Sequence, residues 1–262
     1  MVLGWSLNWE KSSFVPSQQV IHLGFVIDTN SMTVKCPPEK ITRLKQKASK
    51  ALKEGLISLH DCESLLGFME SVRPVTPFAA LHYRPIQRQL LHAKHHGRKP
   101  NQIIYLSNKS VAALVWWKSS NGFAGNCTAP IREPTQSVDI WTDANLHMGG
   151  GHNSRGQFFQ RQWMESELSS GNHISLLETR AAREAVSQLA DPGDIVRLHI
   201  DNTSACAYIR KQGGTRSYSL CQEACLLWKD AISRNLTILT PQWIGTRENT
   251  MADFLSRNNM GH

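Results

Sequence analysis

The residues best suited to chemistry are four carboxylates in the second half of the chain: Asp143, Glu178, Asp201 and Asp253. Asp143 closes the alternating run Val138-Asp-Ile-Trp-Thr-Asp143 and leads into the glycine-rich turn that reaches Gly151. Glu178 lies on the same side of a helical run as Ile174, Ala181, Ala182 and Ala185, where a charge is costly unless it meets a cation. Asp201 follows Val196, Leu198 and Ile200, where a buried strand emerges, and sites collect at that end of α/β sheets. Asp253 falls in the first turns of a short closing helix, where the dipole favours an anion. Each has an ordinary structural role available: an arginine partner for Glu178, an N-cap for Asp201, dipole compensation for Asp253. Their succession along strand, helix, strand and helix is what a carboxylate cage for divalent cations requires. Two hard cations held roughly 3.5–4 Å apart can activate water and stabilise a leaving oxygen, which is phosphodiester hydrolysis. Oxygen ligands suit Mg2+, with Mn2+ as the alternative, and no histidine or cysteine ligand is needed.

A formal charge of +8 and a pI near 9.3 favour a polyanionic partner, for which nucleic acid is the usual case. Six cysteines are scattered without Cys-x-x-Cys spacing, and Cys221 and Cys225, one helical turn apart, read as packed thiols. No apolar run approaches the roughly 20 residues of a membrane span, and no secretory signal is evident. A cytoplasmic or nuclear protein without a membrane partner is expected.

The elements that must position the carboxylates begin near residue 137. The alternation predicts strands at Val138–Asp143, Leu146–His152 and Gln157–Trp163, then a helix over His173–Leu189 and a strand at Ile195–Ile200. Helices at Thr203–Arg210 and Ser217–Ser233, a strand at Leu236–Trp243 and a helix at Glu248–Arg257 complete it. The result is an α/β unit, a mixed five-stranded sheet flanked by helices on both faces. Ahead of it, His22–Asp28 and Met32–Lys35 predict a β-hairpin, followed by helices over 39–54, 59–72, 78–93 and 109–118. Trp116 and Trp117 are expected to pack between the two parts, with a base-stacking platform as the competing reading. The Gly, Pro, Thr and Asn content of 121–136 reads as a linker.

Several of these segments resemble one family. Val138-Asp-Ile-Trp-Thr-Asp143-Ala with Gly149-Gly150, Leu176-Leu-Glu178-Thr-Arg-Ala, Leu198-His-Ile-Asp201-Asn and Arg247-Glu-Asn-Thr-Met-Ala-Asp253-Phe-Leu-Ser-Arg257 resemble the RNase H domain of retroelement reverse transcriptases. The stretch from Leu7 to Phe25 is similar to the end of the palm, with its primer-grip hairpin. The resemblance is to DIRS-type or LTR-retrotransposon-like elements and is nearest to the DIRS type. It implies a palm remnant over 1–37, a thumb over 38–95, a connection over 96–136 and an RNase H-like fold over 137–258. It further implies that Asp143 bridges two metal ions, that Glu178 and Asp201 complete one site, and that Asp253 holds the other.

The nucleic-acid contacts so implied are Gly149, Gly150, Asn202, Arg247, Lys45 and Lys53. The expected activity is hydrolysis of the RNA strand of an RNA–DNA hybrid, with the rest of a reverse transcriptase as a possible partner. A non-catalytic nucleic-acid-binding module and a DNA-cutting polynucleotidyl transferase of the same fold are the alternatives. Two departures stand out. The loop before the last helix carries Trp243, Thr246 and Arg247 where many such enzymes have a histidine. No Tyr-x-Asp-Asp-like signature is present, so DNA synthesis by this chain alone is not expected.

Overall fold

The computed structural model describes residues 8–10, 12–168 and 173–258; Leu7 and Lys11 of the palm-like stretch lie outside them. The chain opens with strands β1 (Gln19–His22), β2 (Phe25–Asp28) and β3 (Thr33–Lys35). Helix α1 (Pro38–Glu54) begins with proline at its first turn, where the missing N–H costs nothing. It ends at Gly55, whose φ of +67° suits the left-handed cap. Strand β4 (Leu56–Ser58) leads into α2 (Leu59–Val72), capped by the Ser58 hydroxyl accepting from the Asp61 N–H. Then come α3 (Ala79–His95), β5 (Ile103–Tyr105), α4 (Asn108–Lys118) and β6 (Thr128–Pro130).

Three expectations for this region need correcting. His22–Asp28 is not one strand, because Leu23 and Gly24 take φ of +48° and +74° and fold β1 back on β2. Part of the 121–136 stretch is built into the fold: Phe123 is fully buried and β6 pairs antiparallel with β3. Trp116 and Trp117 do not bridge the two halves. Trp117 is buried with Leu44, Met69, Ile86 and Leu114, its indole N–H donating to the His82 carbonyl at 3.0 Å. Trp116 stacks on the His82 ring.

The second half holds β7 (Val138–Ala144), β8 (Met148–Asn153), β9 (Phe158–Gln162), the helical turn α5 (Glu165–Leu168) and helix α6 (Ile174–Leu189). It continues with β10 (Ile195–Ile200), α7 (Thr203–Arg210), α8 (Tyr218–Ser233), β11 (Thr237–Ile238), β12 (Gln242–Trp243) and α9 (Thr250–Arg257). The sheet order is β11-β10-β7-β8-β9; β7, β8 and β9 form an antiparallel meander, and β10 lies parallel to β7. The expected strand Leu236–Trp243 is interrupted. Its two ends, β11 and β12, both run parallel to β10 around Pro241, which has no N–H to give a ladder.

Glycines in β8 let two helices close on the sheet from opposite sides. A Cβ on Gly149 would lie 2.7 Å from the Trp163 ring and 3.1 Å from Ala181 of α6; one on Gly150 would lie 2.7 Å from Leu255 of α9. Successive side chains of a strand point to opposite faces, so α6 and α9 sandwich the sheet here. On the α9 face, three paired strands set His152, Trp141 and His199 in a stack, with ring centroids 4.9 and 4.7 Å apart. The His199 ring nitrogen Nε2 meets Asp139 at 2.7 Å.

The halves meet along α3. Phe78 packs edge-on against Trp228, and the Ala80 N–H donates to Gln212. Arg88 donates to the carbonyls of Gly214 and Ser217.

Candidate active site

Parallel neighbours β7 and β10 both run out at the same edge, so Asp143 near the end of one and Asp201 just past the end of the other are brought side by side. Glu178 reaches them from α6, which is held against the sheet by the fully buried Ala181, Ala182 and Ala185. Carboxylate oxygens of Asp143, Glu178 and Asp201 lie within 4.8 Å of one another. Asp143 and Glu178 are buried, and Asp201 is half-buried.

Like charges this close inside a protein cannot all ionise cheaply. Burial is the main cause that raises Glu178 to about 9, with Asp143 and Asp201 adding to it and a hydrogen bond with the Ala144 backbone opposing. Burial also raises Asp143 to about 6; the Ser256 hydroxyl opposes, Asp201 and Asp253 add, and Arg257 opposes. Glu178 Oε2 is buried with no hydrogen-bond partner. A buried, unpartnered carboxylate oxygen on a residue grouped with two other carboxylates fits a hard divalent cation. Asp143, Glu178 and Asp201 are the residues that would hold one.

Asp253 stands apart from this group. Its carboxylate accepts from Arg257 Nε at 2.7 Å, one turn along α9. It is near enough to Asp143 to raise that residue's pKa. A second cation between Asp143 and Asp253 would have to draw this side chain from Arg257.

The other expected contacts are placed as follows. Gly149 and Gly150 are buried beneath α6 and α9, so close packing, not a nucleic-acid groove, is the reason for glycine there. Asn202 caps α7, its side-chain oxygen accepting from the Ser204 and Ala205 N–H groups. Arg247 is exposed in the turn before α9, and Lys45 and Lys53 lie on α1, half-buried and exposed.

Supporting residues were less evident from sequence. Ser256 is fully buried and donates its hydroxyl to Asp143 Oδ2. Asn249, also buried, donates to the Thr142 carbonyl and ties the start of α9 to β7. Thr246 donates to Asp201 Oδ2 at 3.0 Å, and the Trp243 indole donates to the Asp201 carbonyl at 2.9 Å. The signal for Ser256 was its i+3 spacing from Asp253, which sets both on neighbouring parts of one helix.

Three antiparallel strands, a helix, a parallel strand beside the first and a closing helix over the opposite face constitute the RNase H-like fold. No protein-family profile and no curated protein sequence matches the chain. Among solved structures it is similar to the foamy viral protease-reverse transcriptase in complex with an RNA/DNA hybrid, with 13% identity and a TM-score of 0.36 over 86% of this chain and 29% of that one. The same enzyme in complex with dsDNA gives 14%, 0.37, 86% and 45%. RNase H1 from the halophilic archaeon Halobacterium salinarum NRC-1 gives 14% and 0.34 over 46% of this chain and 94% of that one. The chain spans less than half the length of the foamy viral chains. No helix among the described residues is long and apolar enough to cross a membrane.

Proposed function

We propose that this chain is a metal-dependent endonuclease that cuts the RNA strand of RNA–DNA hybrids, leaving a 5′-phosphate and a 3′-hydroxyl. The observation that carries the reading is the group of Asp143, Glu178 and Asp201 within 4.8 Å at the ends of two parallel strands, with Glu178 Oε2 unpartnered. A divalent cation bound there, Mg2+ or Mn2+ and two ions in the full reading, supplies Lewis-acid stabilisation of the phosphoryl oxygens and a more acidic water. The chain's own part is to hold the ligands. Ser256 engages Asp143 Oδ2, and Thr246 and Trp243 fix Asp201 through its carboxylate and its carbonyl. Asp253, paired here with Arg257, is the residue that would hold the second ion in this reading.

Arg247 beside this edge, with Lys45 and Lys53 on α1, would contact phosphates, which makes binding salt-sensitive. Selection of hybrid over duplex DNA would rest on groove shape and 2′-hydroxyl contacts. Descent from a DIRS-type reverse transcriptase, with palm, thumb and connection ahead of the nuclease, belongs to the same proposal.

The test is an end-labelled RNA–DNA hybrid incubated with Mg2+ or Mn2+, beside duplex DNA and beside Asp143→Asn. RNA cleavage that needs the cation and is lost in the variant supports the proposal. Cleavage of duplex DNA alone points to a polynucleotidyl transferase, and binding without any cleavage to a non-catalytic module.

A further inference from the structure

Both ends of α9 are tied to the β7 segment, on either side of Asp143. At the start of the helix the Asn249 side chain donates to the Thr142 carbonyl at 2.9 Å. At its end Asn145, the residue after β7, donates through Nδ2 to the Ser256 carbonyl at 2.6 Å. From Thr142 to Asn145 the extended chain advances about 10 Å, and from Asn249 to Ser256 a helix advances about the same length. The two ties therefore match in spacing, set α9 along the strand at one offset, and leave Asp253 between them.

Asn145 is itself held on every side. Its Oδ1 accepts from the His147 N–H at 2.6 Å and the Met148 N–H at 2.9 Å, an Asx-type turn that folds β7 back into β8. Its backbone N–H donates to the Met148 carbonyl, and its carbonyl accepts from the Trp163 indole at 3.0 Å. With Oδ1 committed to the turn, the planar amide directs Nδ2 the other way, and the acceptor it meets is on α9.

That acceptor lies in the last turn of the helix, where carbonyls have no partner farther along. Gln160 of β9 meets the neighbouring Leu255 carbonyl at 2.6 Å. Ser256 is also the residue whose hydroxyl donates to Asp143 Oδ2. The path from Asn145 through Ser256 thus returns to the carboxylate two residues before Asn145. Asp253 lies one turn back on the same helix, where its charge is felt at Asp143.

We propose, on the basis of the cation-dependent nuclease reading, that Asn145 is a positioning residue for the second cation: its bond to Ser256 fixes the last turn of α9 and with it the place of Asp253 relative to Asp143. Asp143, Glu178 and Asp201 stand on β7, on α6 and just past β10, so that group does not need this tie. A cation between Asp143 and Asp253 does, because its ligands come from two segments that Asn145 holds together. Residues that orient metal ligands typically change metal affinity or activity by about 10–100-fold when replaced.

The experiment compares Asn145→Ser with Trp163→Phe in the full chain. A serine hydroxyl can accept from the same turn N–H groups, but its side chain is too short to reach the Ser256 carbonyl. Gln160 and Asn249 still hold α9, so the variant should fold. Trp163→Phe removes the bond to the Asn145 carbonyl and leaves the bond to Ser256, which makes it the control for a turn that is merely loosened. In metal-free protein, the amides of residues 250–257 should exchange hydrogen faster in Asn145→Ser than in the parent or in Trp163→Phe. In hybrid cleavage, Asn145→Ser should need about tenfold more Mg2+ for half-maximal rate at an unchanged KM for the hybrid, and Trp163→Phe should need no more than the parent. Faster exchange with an unchanged Mg2+ requirement leaves Asn145 a structural tie only and overturns the proposal, as does an equal shift in both variants. If the parent cuts no hybrid, the nuclease reading fails, and Mn2+ calorimetry decides the role of Asn145 alone. A titration weakened in Asn145→Ser and not in Trp163→Phe then supports that role, and identical titrations overturn it.

Discussion

Arg257 holds the carboxylate of Asp253 at 2.7 Å, one turn along the same helix, while the carboxylates of Asp143, Glu178 and Asp201 lie within 4.8 Å of one another. The Arg257 side chain is 64% exposed, and an i,i+4 pair of this kind contributes about 0.3–0.5 kcal/mol. Arg257→Ala should therefore leave the melting temperature nearly unchanged. It should lower the Mg2+ concentration at half-maximal cleavage, since Asp253 no longer has to be drawn from a partner. An unchanged Mg2+ dependence would mean that the ion pair is incidental.

Asp253→Asn should separate two cation sites. Mn2+ binding at Asp143, Glu178 and Asp201 should persist by calorimetry, while cleavage falls by on the order of a hundredfold or more. If binding and cleavage vanish together, Asp253 belongs to the first site after all.

Asp143→Asn removes a buried charge from a repulsive group. The variant should be inactive yet, without cations, more stable than the parent at pH 8, read by thermal melting. A less stable variant would show that Asp143 is held by attraction in the metal-free protein.

The raised carboxyl groups give a pH signature. Their folded pKa values, about 6 for Asp143 and about 9 for Glu178, lie above the ordinary 3.8 and 4.5. The folded state binds these protons more tightly, so the contribution is complete below pH 4 and is lost as pH rises through 6 and then 9. Metal-free protein should lose stability across that window, and Mg2+ should restore more of it at pH 8 than at pH 5. A Mg2+ effect independent of pH would remove these two groups from the site.

Gly150→Ala should be more damaging than Gly149→Ala, because its Cβ meets the Leu255 backbone at 2.7 Å and backbone cannot swing away. Overpacking of this kind costs about 1–3 kcal/mol, and here it pushes on the helix that carries Asp253 and Ser256. Both melting temperature and cleavage should fall. Loss of neither would place α9 farther from β8 than the structure has it.

Much of this was legible in the residues. Period-two alternation gave β7 and β10, and the 3.6-residue spacing of Ile174, Ala181, Ala182 and Ala185 gave α6 together with the inward position of Glu178. Less visible was anything decided by contacts between distant segments. The partnership of β6 with β3 and the burial of Phe123 come from the tertiary packing of a stretch whose composition suggests a linker. The glycines of β8 admit α6 and α9, and sequence does not say which helix will press on a strand. Nothing in the sequence around Ser256 marks it as the hydroxyl that meets Asp143, because that contact joins segments 113 residues apart.

The stack of His152, Trp141 and His199 carries a further meaning for β8. Gly149, Gly150 and Gly151 have no side chains to tell one pairing with β7 from the next, so the triplet by itself is mute about alignment. Sliding β8 by one residue would turn His152 to the opposite face and strip Trp141 of one of its two neighbours. The three rings thus work as a key cut across the strands: they select the alignment that places Gly150 opposite Asp143, while the glycines leave space for the helix above it.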